Sequence, residues 1–143
     1  MTQAATTSPL IETLIKAATA AQAAAYAPYS RFRVGAALAA GGEVFSGANI
    51  ENASYGLAVC AERNAIAAAV LQGHRDIEAI AVITDSRPPA SPCGMCRQVL
   101  AEFCANPAAT VVVAVNGAGE RRQWTVAELL PAGFSPAQLA SGQ

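Results

Sequence analysis

Charge of either sign is scarce in this chain of 143 residues, and the two signs balance. Nine Lys and Arg face ten Asp and Glu, which gives a net charge of −1 with His neutral, and only 13% of residues are charged. Without a basic excess, bulk charge does not favour binding to nucleic acid or to an anionic membrane. The sequence also lacks any run of eighteen apolar residues, so we expect no membrane-spanning helix and no membrane partner.

The N-terminus lacks the basic stretch and the apolar segment of a signal peptide. We therefore expect a cytoplasmic, reducing location, where four cysteines indicate metal binding or chemistry before disulfides. The length predicts one domain over residues 1–143. Residues 1–7 are small and polar, and we expect them to be disordered.

Apolar residues are plentiful at 53%, and 35 of the residues are alanine. Their periodicity and the turn signals between them predict the order α-β-β-α-β-α-β with a short tail. The predicted helices cover 9–25, 60–71 and 93–104, the strands cover 34–39, 44–48, 77–84 and 111–115, and a short helix lies within 124–130. This order predicts an α/β fold, a three-layer α/β/α sandwich on a mixed β-sheet.

Three cysteines lie at predicted helix starts. Cys93 and Cys96 are three residues apart and fall on one helical face, and Cys60 begins another helix. If the two helix starts meet, these three thiolates suit one zinc ion. Zinc with three protein ligands and an open position is typical of a catalytic site.

The sequence offers no good fourth protein ligand. Cys104 lies about 12 Å beyond Cys96 along a helix, and His74 about 20 Å beyond Cys60, at 1.5 Å per residue. We interpret Cys104 as a buried thiol and His74 as a surface residue. Water then fills the open position, within reach of the Glu62 carboxylate.

The pattern Cys60-Ala-Glu62 followed by Pro92-Cys93-Gly-Met-Cys96 resembles the zinc-dependent cytidine deaminases. With cysteine as first ligand, it is similar to the small homotetrameric nucleoside deaminases. The resemblance covers nearly the whole chain, from residues 26–37 through 47–52 to 129–134. It implies one Zn²⁺ per subunit. The implied reaction is hydrolysis of cytidine and 2′-deoxycytidine to uridine and 2′-deoxyuridine with release of ammonia, in pyrimidine salvage.

The same resemblance implies a role for individual residues. Glu62 would carry protons between the water, ring N3 and the departing amine. Arg63 and Gln98 would donate hydrogen bonds around the metal ligands. Asn49 and Glu51 alternate along an extended segment, so both face one way, and the resemblance implies that they contact the ribose 3′-OH.

Four further residues complete the implied substrate site. The Phe32 ring and the Ala61 backbone N–H would contact the pyrimidine, Tyr55 would lie in the pocket or at a subunit interface, and Phe134 would enter a neighbouring subunit's pocket. The expected assembly is therefore a homotetramer with shared active sites, acting on a small pyrimidine nucleoside.

Other functions remain open at this level. A related aminopyrimidine nucleoside deaminase of the blasticidin S type is the first alternative, although Asn49 with Glu51 favours an ordinary ribose. Polynucleotide editing is disfavoured by the near-neutral charge. A non-catalytic zinc-stabilised module is disfavoured by Glu62 and by the lack of a fourth ligand.

Overall fold

A computed structural model describes residues 8–142. The predicted disorder of residues 1–7 lies outside this range. The helices are α1 (Pro9–Gln22), α2 (Ala61–Leu71), α3 (Gly94–Glu102), α4 (Val126–Leu129) and α5 (Pro136–Ser141), with one 3₁₀ turn at Tyr55–Leu57. The strands are β1 (Gly35–Ala40), β2 (Glu43–Ala48), β3 (Ile77–Thr84), β4 (Val111–Asn116) and β5 (Arg121–Thr125). None of these described helices is long and apolar enough to span a membrane.

The five strands form one mixed sheet in the order β2-β1-β3-β4-β5. Only β3 and β4 run parallel, and the other neighbouring strands are antiparallel. Helix α3 lies in the connection between the two parallel strands, as a parallel crossover requires. The prediction of a mixed sheet is confirmed.

Helices cover both faces of this sheet. On one face, Leu14 and Ala18 of α1 pack against small residues of β1 and β3 and valines of β4. On the other face, α2 and α3 contribute Ile66 and Leu100 to a second apolar cluster with Ile80 and Val112. The sheet thus buries both faces, and the predicted three-layer sandwich is confirmed.

Two glycines in the hairpin bring these helices unusually close to the sheet. A Cβ at Gly35 would lie 2.0 Å from the Ala18 carbonyl oxygen of α1. A Cβ at Gly47 would lie 2.6 Å from the Ala65 nitrogen of α2. Because both obstacles are backbone atoms, each layer depends on a glycine in the strand that faces it.

The local sequence explains where α1 and α2 begin or end. The Ser8 hydroxyl accepts a hydrogen bond from the Ile11 N–H, and Pro9 occupies the first helical position. Helix α2 stops at Gly73, whose φ of +89° suits glycine. Helix α1 ends at Gln22, earlier than predicted, because Tyr26 already pairs in an extended bridge with Ile50.

The short helix predicted within 124–130 is confirmed, since helix α4 covers Val126–Leu129, but two elements near the C-terminus were not predicted. The first is strand β5, which directly precedes α4. Strand β5 is an edge strand paired to β4 alone, so it tolerates a polar sequence that gave no apolar signal. Helix α5 was not predicted, although Ser135 and Gln138 form a capping box at its start.

Candidate metal centre and active site

Three cysteines meet where two helices begin. Cys60 is the N-cap of α2 and Cys93 is the N-cap of α3, while Cys96 lies in the first turn of α3. Neither N-cap sulfur accepts a capping hydrogen bond from the backbone of its helix. Cysteine is a poor substitute for Ser or Asp at this position, and this break with capping preference marks a functional site.

The spacing of the three sulfurs fits a tetrahedral metal. The Sγ atoms of Cys60 and Cys93 are 3.7 Å apart, and those of Cys93 and Cys96 are 3.6 Å apart. All three lie within 4.8 Å of one another. Tetrahedral zinc with Zn–S bonds of about 2.3 Å places its sulfurs about 3.8 Å apart. Among the described residues, this is the one cluster of three or more potential metal ligands.

Hydrogen bonds favour negative charge on the Cys60 sulfur. Hydrogen bonds from the Cys96 thiol and from Arg63 lower the pKa of Cys60 to about 5. The Arg63 Nη2 lies 3.5 Å from the Cys60 sulfur. The N-termini of α2 and α3 place the positive ends of two helix dipoles beside the cluster. The hydrogen bond with Cys60, together with burial, raises the pKa of Cys96.

Glu62 lies beside this cluster and is only 4% exposed. Burial raises the pKa of its carboxyl group, and the neighbouring Cys60 adds to this effect. A carboxyl with a raised pKa can hold and release a proton near neutral pH. Helix α2 is held in place by Asn64, whose side chain donates to the Ala48 carbonyl at the end of β2.

A cavity of about 330 Å³ opens above the cysteine cluster. Of the predicted site residues, six line its wall: Phe32, Asn49, Glu51, Cys60, Glu62 and Cys93. The structure therefore brings the metal-ligating cluster, the carboxyl group of Glu62 and the Asn49–Glu51 segment into one pocket. Its volume falls within the range of small-molecule sites.

The Asn49–Glu51 segment is extended and holds the loop that precedes β1. Asn49 accepts from the Val34 N–H at 2.8 Å and donates to the Phe32 carbonyl at 2.7 Å. The Glu51 carboxylate accepts from the N–H groups of Tyr29 and Ser30 at 3.0 and 3.1 Å. Both side chains thus face the same loop.

Six predicted site residues lie outside the lining of this cavity: Cys96 and Arg63, described above, and four more. Ala61 is fully buried at the start of α2. Tyr55 is 75% exposed and lines a neighbouring cavity of about 250 Å³ together with Glu51. Gln98 donates to the Phe134 carbonyl at 2.9 Å. The Phe134 ring is 57% exposed beside the end of α4.

Cys104 and His74, which we did not expect to bind the metal, lie away from the cysteine cluster. Helix α3 ends at Glu102, and Cys104 is buried beyond it in the apolar cluster under α2 and α3. His74 follows α2 and pairs with the Glu43 carboxylate of β2.

Arg97 and Ser30 are site residues that sequence reasoning missed. Arg97 donates to the carbonyl oxygens of Pro92 and Leu129, at 2.7 and 2.9 Å, and to the Ser91 hydroxyl. It thereby ties the segment before Cys93 to the end of α4. The sequence did contain one signal, the position of Arg97 directly after Cys96, but an arginine on a helix is most often a surface residue.

Known proteins resemble this chain over most of its length. Residues 9–115 match the model of a family described as the cytidine and deoxycytidylate deaminase zinc-binding region. A cytidine deaminase of Halalkalibacterium halodurans is 55% identical over 85% of this chain and 92% of its own. One of Sporosarcina psychrophila is 47% identical over 91% of this chain and 95% of its own.

A solved structure agrees with both the fold and the sequence. The crystal structure of cytidine deaminase from Burkholderia pseudomallei superposes with a TM-score of 0.81 at 46% identity, covering 94% of this chain and all of that one. The family match covers well over half of the chain, and the cysteine cluster has the geometry that a zinc site requires. By its sequence, its fold and its three-cysteine zinc site, the chain belongs to the zinc-dependent cytidine deaminase family.

Proposed function

We propose that this protein hydrolyses the amino group of cytidine and 2′-deoxycytidine, giving uridine or 2′-deoxyuridine and ammonia, in pyrimidine salvage. The observation that carries the proposal is the single pocket in which the cysteine cluster, Glu62 and Asn49–Glu51 meet. The lining thus offers two kinds of polar group: the cysteines with Glu62, which suit a reacting ring carbon, and Asn49 with Glu51, which suit a sugar.

Cys60, Cys93 and Cys96 would hold the zinc through their thiolates. When bound, zinc supplies Lewis acidity and lowers the pKa of a water molecule towards about 7. Three thiolates reduce this acidity by adding negative charge. Arg63 and the two helix N-termini offset that charge, since the Arg63 guanidinium lies against Cys60.

Glu62 is the proposed proton carrier. Its buried carboxyl would take a proton from the attacking water and deliver it to ring N3, then take the proton of the new C4 hydroxyl and pass it to the departing amine. Water adds at C4 and ammonia leaves, so the product carries a carbonyl where the substrate carried an amino group. The Ala61 N–H at the start of α2 is proposed to bind the pyrimidine, and the Phe32 ring to pack on it.

The sugar would bind beside Asn49 and Glu51 in the pocket. An amide and a carboxylate on one side of an extended segment can accept from and donate to a ribose hydroxyl. Among the described residues, the cavity lining contains no Lys or Arg. A nucleoside therefore suits this pocket, because a phosphate group would enter a lining that carries two carboxyl groups and no cation to offset its charge.

The assembly is proposed to be a homotetramer with shared sites. Tyr26, Ile50, Tyr55 and Leu57 are each more than half exposed. Large exposed apolar side chains near one pocket are typical of an interface. Phe134 is proposed to reach the pyrimidine of a neighbouring subunit, with Gln98 holding its backbone, and Tyr55 is proposed to lie at the interface.

A reducing, cytoplasmic location is part of the proposal. The Cys93 sulfur lies 3.7 Å from that of Cys60 and 3.6 Å from that of Cys96, so these thiols would oxidise readily without metal in an oxidising compartment.

Steady-state assays on a nucleoside panel test this function. Purified zinc-loaded protein is mixed with cytidine, 2′-deoxycytidine or cytidine 5′-monophosphate, and the loss of the cytidine absorbance band and the release of ammonia are followed. We expect turnover of both nucleosides and little turnover of the monophosphate. No ammonia from either nucleoside would refute the proposed activity, and efficient turnover of the monophosphate would refute the assigned sugar site.

A further inference from the structure

Ser30 lines the main cavity and lies at the centre of a hydrogen-bonded loop. Its hydroxyl donates to Glu51 Oε2 and accepts from the Phe32 N–H at 3.0 Å. The Ser30 side chain therefore links two parts of the proposed substrate site. It joins the Glu51 carboxylate, proposed to bind the sugar, to the backbone of Phe32, whose ring is proposed to pack on the base. No sequence motif assigned Ser30 a role.

The backbone between these residues is held in a strained conformation. Arg31 has a φ of +58°, in the left-handed region that non-glycine residues rarely adopt. This conformation turns the chain so that the Phe32 N–H meets the Ser30 hydroxyl two residues earlier. The Asn49 amide then holds the Phe32 carbonyl. Strain of this kind persists only where surrounding contacts enforce it.

Glu51 is almost saturated by this loop. A carboxylate offers about four acceptor positions, and three are filled by the Tyr29 N–H, the Ser30 N–H and the Ser30 hydroxyl. The hydrogen bond from the Ser30 side chain is also the main reason that the pKa of Glu51 lies below its usual value. The carboxylate thus stays charged and keeps one acceptor position for a ligand.

We propose that Ser30 is a positioning residue for sugar recognition: its hydroxyl fixes the Glu51 carboxylate so that one acceptor position meets a single sugar hydroxyl, and it couples that contact to the placement of Phe32. This inference rests on the proposed function, in which Glu51 binds the ribose 3′-OH. Ser30 itself touches neither the reacting atoms nor the metal ligands.

The test compares cytidine with 3′-deoxycytidine in four proteins: wild type, Ser30→Ala, Glu51→Gln and the double variant. For Ser30→Ala we expect the KM of cytidine to rise about tenfold and kcat to stay within about twofold. The preference for cytidine over 3′-deoxycytidine, as a ratio of KM values, should fall towards one. In the Glu51→Gln background, Ser30→Ala should change the KM of cytidine little, because the two residues act as a unit.

Controls separate positioning from general damage to the loop. Ser54→Ala removes a hydroxyl from the neighbouring 51–58 segment, where it makes no capping hydrogen bond, and should leave both KM values unchanged. Ser30→Thr keeps the hydroxyl and should retain the preference for cytidine. If Ser30→Ala does not fold, Ser30→Cys replaces it, since a thiol is a weak donor of similar shape.

The outcomes distinguish this inference from the proposed function. A Ser30→Ala protein with wild-type KM values would overturn the inference. So would a Ser30→Ala protein whose KM rises equally for cytidine and 3′-deoxycytidine and whose effect adds to that of Glu51→Gln. If Glu51→Gln alone leaves the KM of cytidine unchanged, the proposed sugar contact is wrong, and the inference falls with it. If Glu51→Gln weakens cytidine binding and Ser30→Ala does not, only the inference fails.

Discussion

Glu62 lies between the cysteine cluster and the open cavity, where a carboxyl group must be buried yet able to exchange protons. Its side chain is 4% exposed and lines the pocket. Burial raises its pKa, in keeping with a group that carries protons in the proposed reaction. At the scale of single residues, the proposed function therefore assigns two separate roles: the thiolates hold the metal, and the Glu62 carboxyl moves protons.

Replacing Glu62 with Gln tests this separation. The amide keeps the size of the side chain and removes its proton-carrying ability. We expect kcat to fall by at least about a hundredfold, while thermal stability and zinc content stay close to wild type. Activity assays, thermal melting and elemental zinc analysis measure the three quantities. Loss of zinc from a folded Glu62→Gln protein would assign the residue to the metal site instead.

The cysteines provide a second prediction at this scale. Cys60→Ala, Cys93→Ala and Cys96→Ala should each lose most of the bound zinc and nearly all activity, because two thiolates leave an incomplete site. Cys104→Ala is the matched control: its sulfur lies in the apolar cluster beyond α3, so it should keep zinc and activity at a small cost in stability. Zinc loss in the Cys104 variant would contradict this description of the metal site.

At the scale of secondary-structure elements, one close contact with strand β2 positions helix α2. Gly47 of β2 packs against the backbone of α2, which begins at Cys60 and contains Glu62. The hydrogen bond from Asn64 to the Ala48 carbonyl joins the same two elements. The position of α2 relative to the sheet therefore sets the positions of Cys60 and of Glu62, the proposed proton carrier.

Gly47→Ala should disturb stability and site together. The added Cβ would lie 2.6 Å from the Ala65 nitrogen, which forces a backbone shift costing about 1–3 kcal/mol. We expect a lower midpoint in urea unfolding, weaker zinc retention and a lower kcat/KM.

Two other glycine variants serve as controls for Gly47→Ala. Gly35→Ala crowds α1 on the opposite face of the sheet, so it should destabilise while its folded fraction retains zinc. Gly117→Ala meets no neighbour within 4 Å and should be close to wild type. If Gly47→Ala and Gly35→Ala affected zinc retention equally, the β2–α2 contact would have no special role in the site.

At the scale of the whole molecule, several large apolar side chains are exposed in the single chain. Phe134 lies in a turn before α5, and its ring is 57% exposed in the single chain. A symmetric assembly buries such residues on every copy at once. It also allows each pocket to be completed by a side chain from a neighbouring subunit.

Mixed assemblies test whether active sites are shared. Glu62→Gln and Phe134→Ala chains, each nearly inactive or weakened alone, are unfolded together and refolded. If Phe134 acts across subunits, some pockets in the hybrids combine a wild-type Glu62 with a wild-type Phe134. We expect these mixtures to be more active than the average of the two parent proteins. Native mass spectrometry establishes both the tetramer and the mixing; hybrids with only the average activity would place Phe134 outside a shared site.

Local patterns in the sequence were sufficient for most elements and for the metal ligands. Strand β3 has the predicted bounds, and α2 differs by one residue, because a buried apolar run and a glycine stop are local signals. The spacing of Cys93 and Cys96 required a shared helical face whatever the fold. The polar edge strand β5 was missed because its pairing with β4 is a long-range contact that leaves little apolar signal.

Periodicity and spacing along the chain were enough to predict the α/β class, the order of most elements and the residue types available for metal chemistry. The meeting of Cys60 with Cys93 and Cys96 depended on the folded chain, because packing on the sheet sets the distance between two helix starts. The same holds for Ser30 and Arg97, whose partners lie 21 and 32 residues away at Glu51 and Leu129. A side-chain hydrogen bond between distant segments has no sequence period, so its function becomes visible only when the chain is folded.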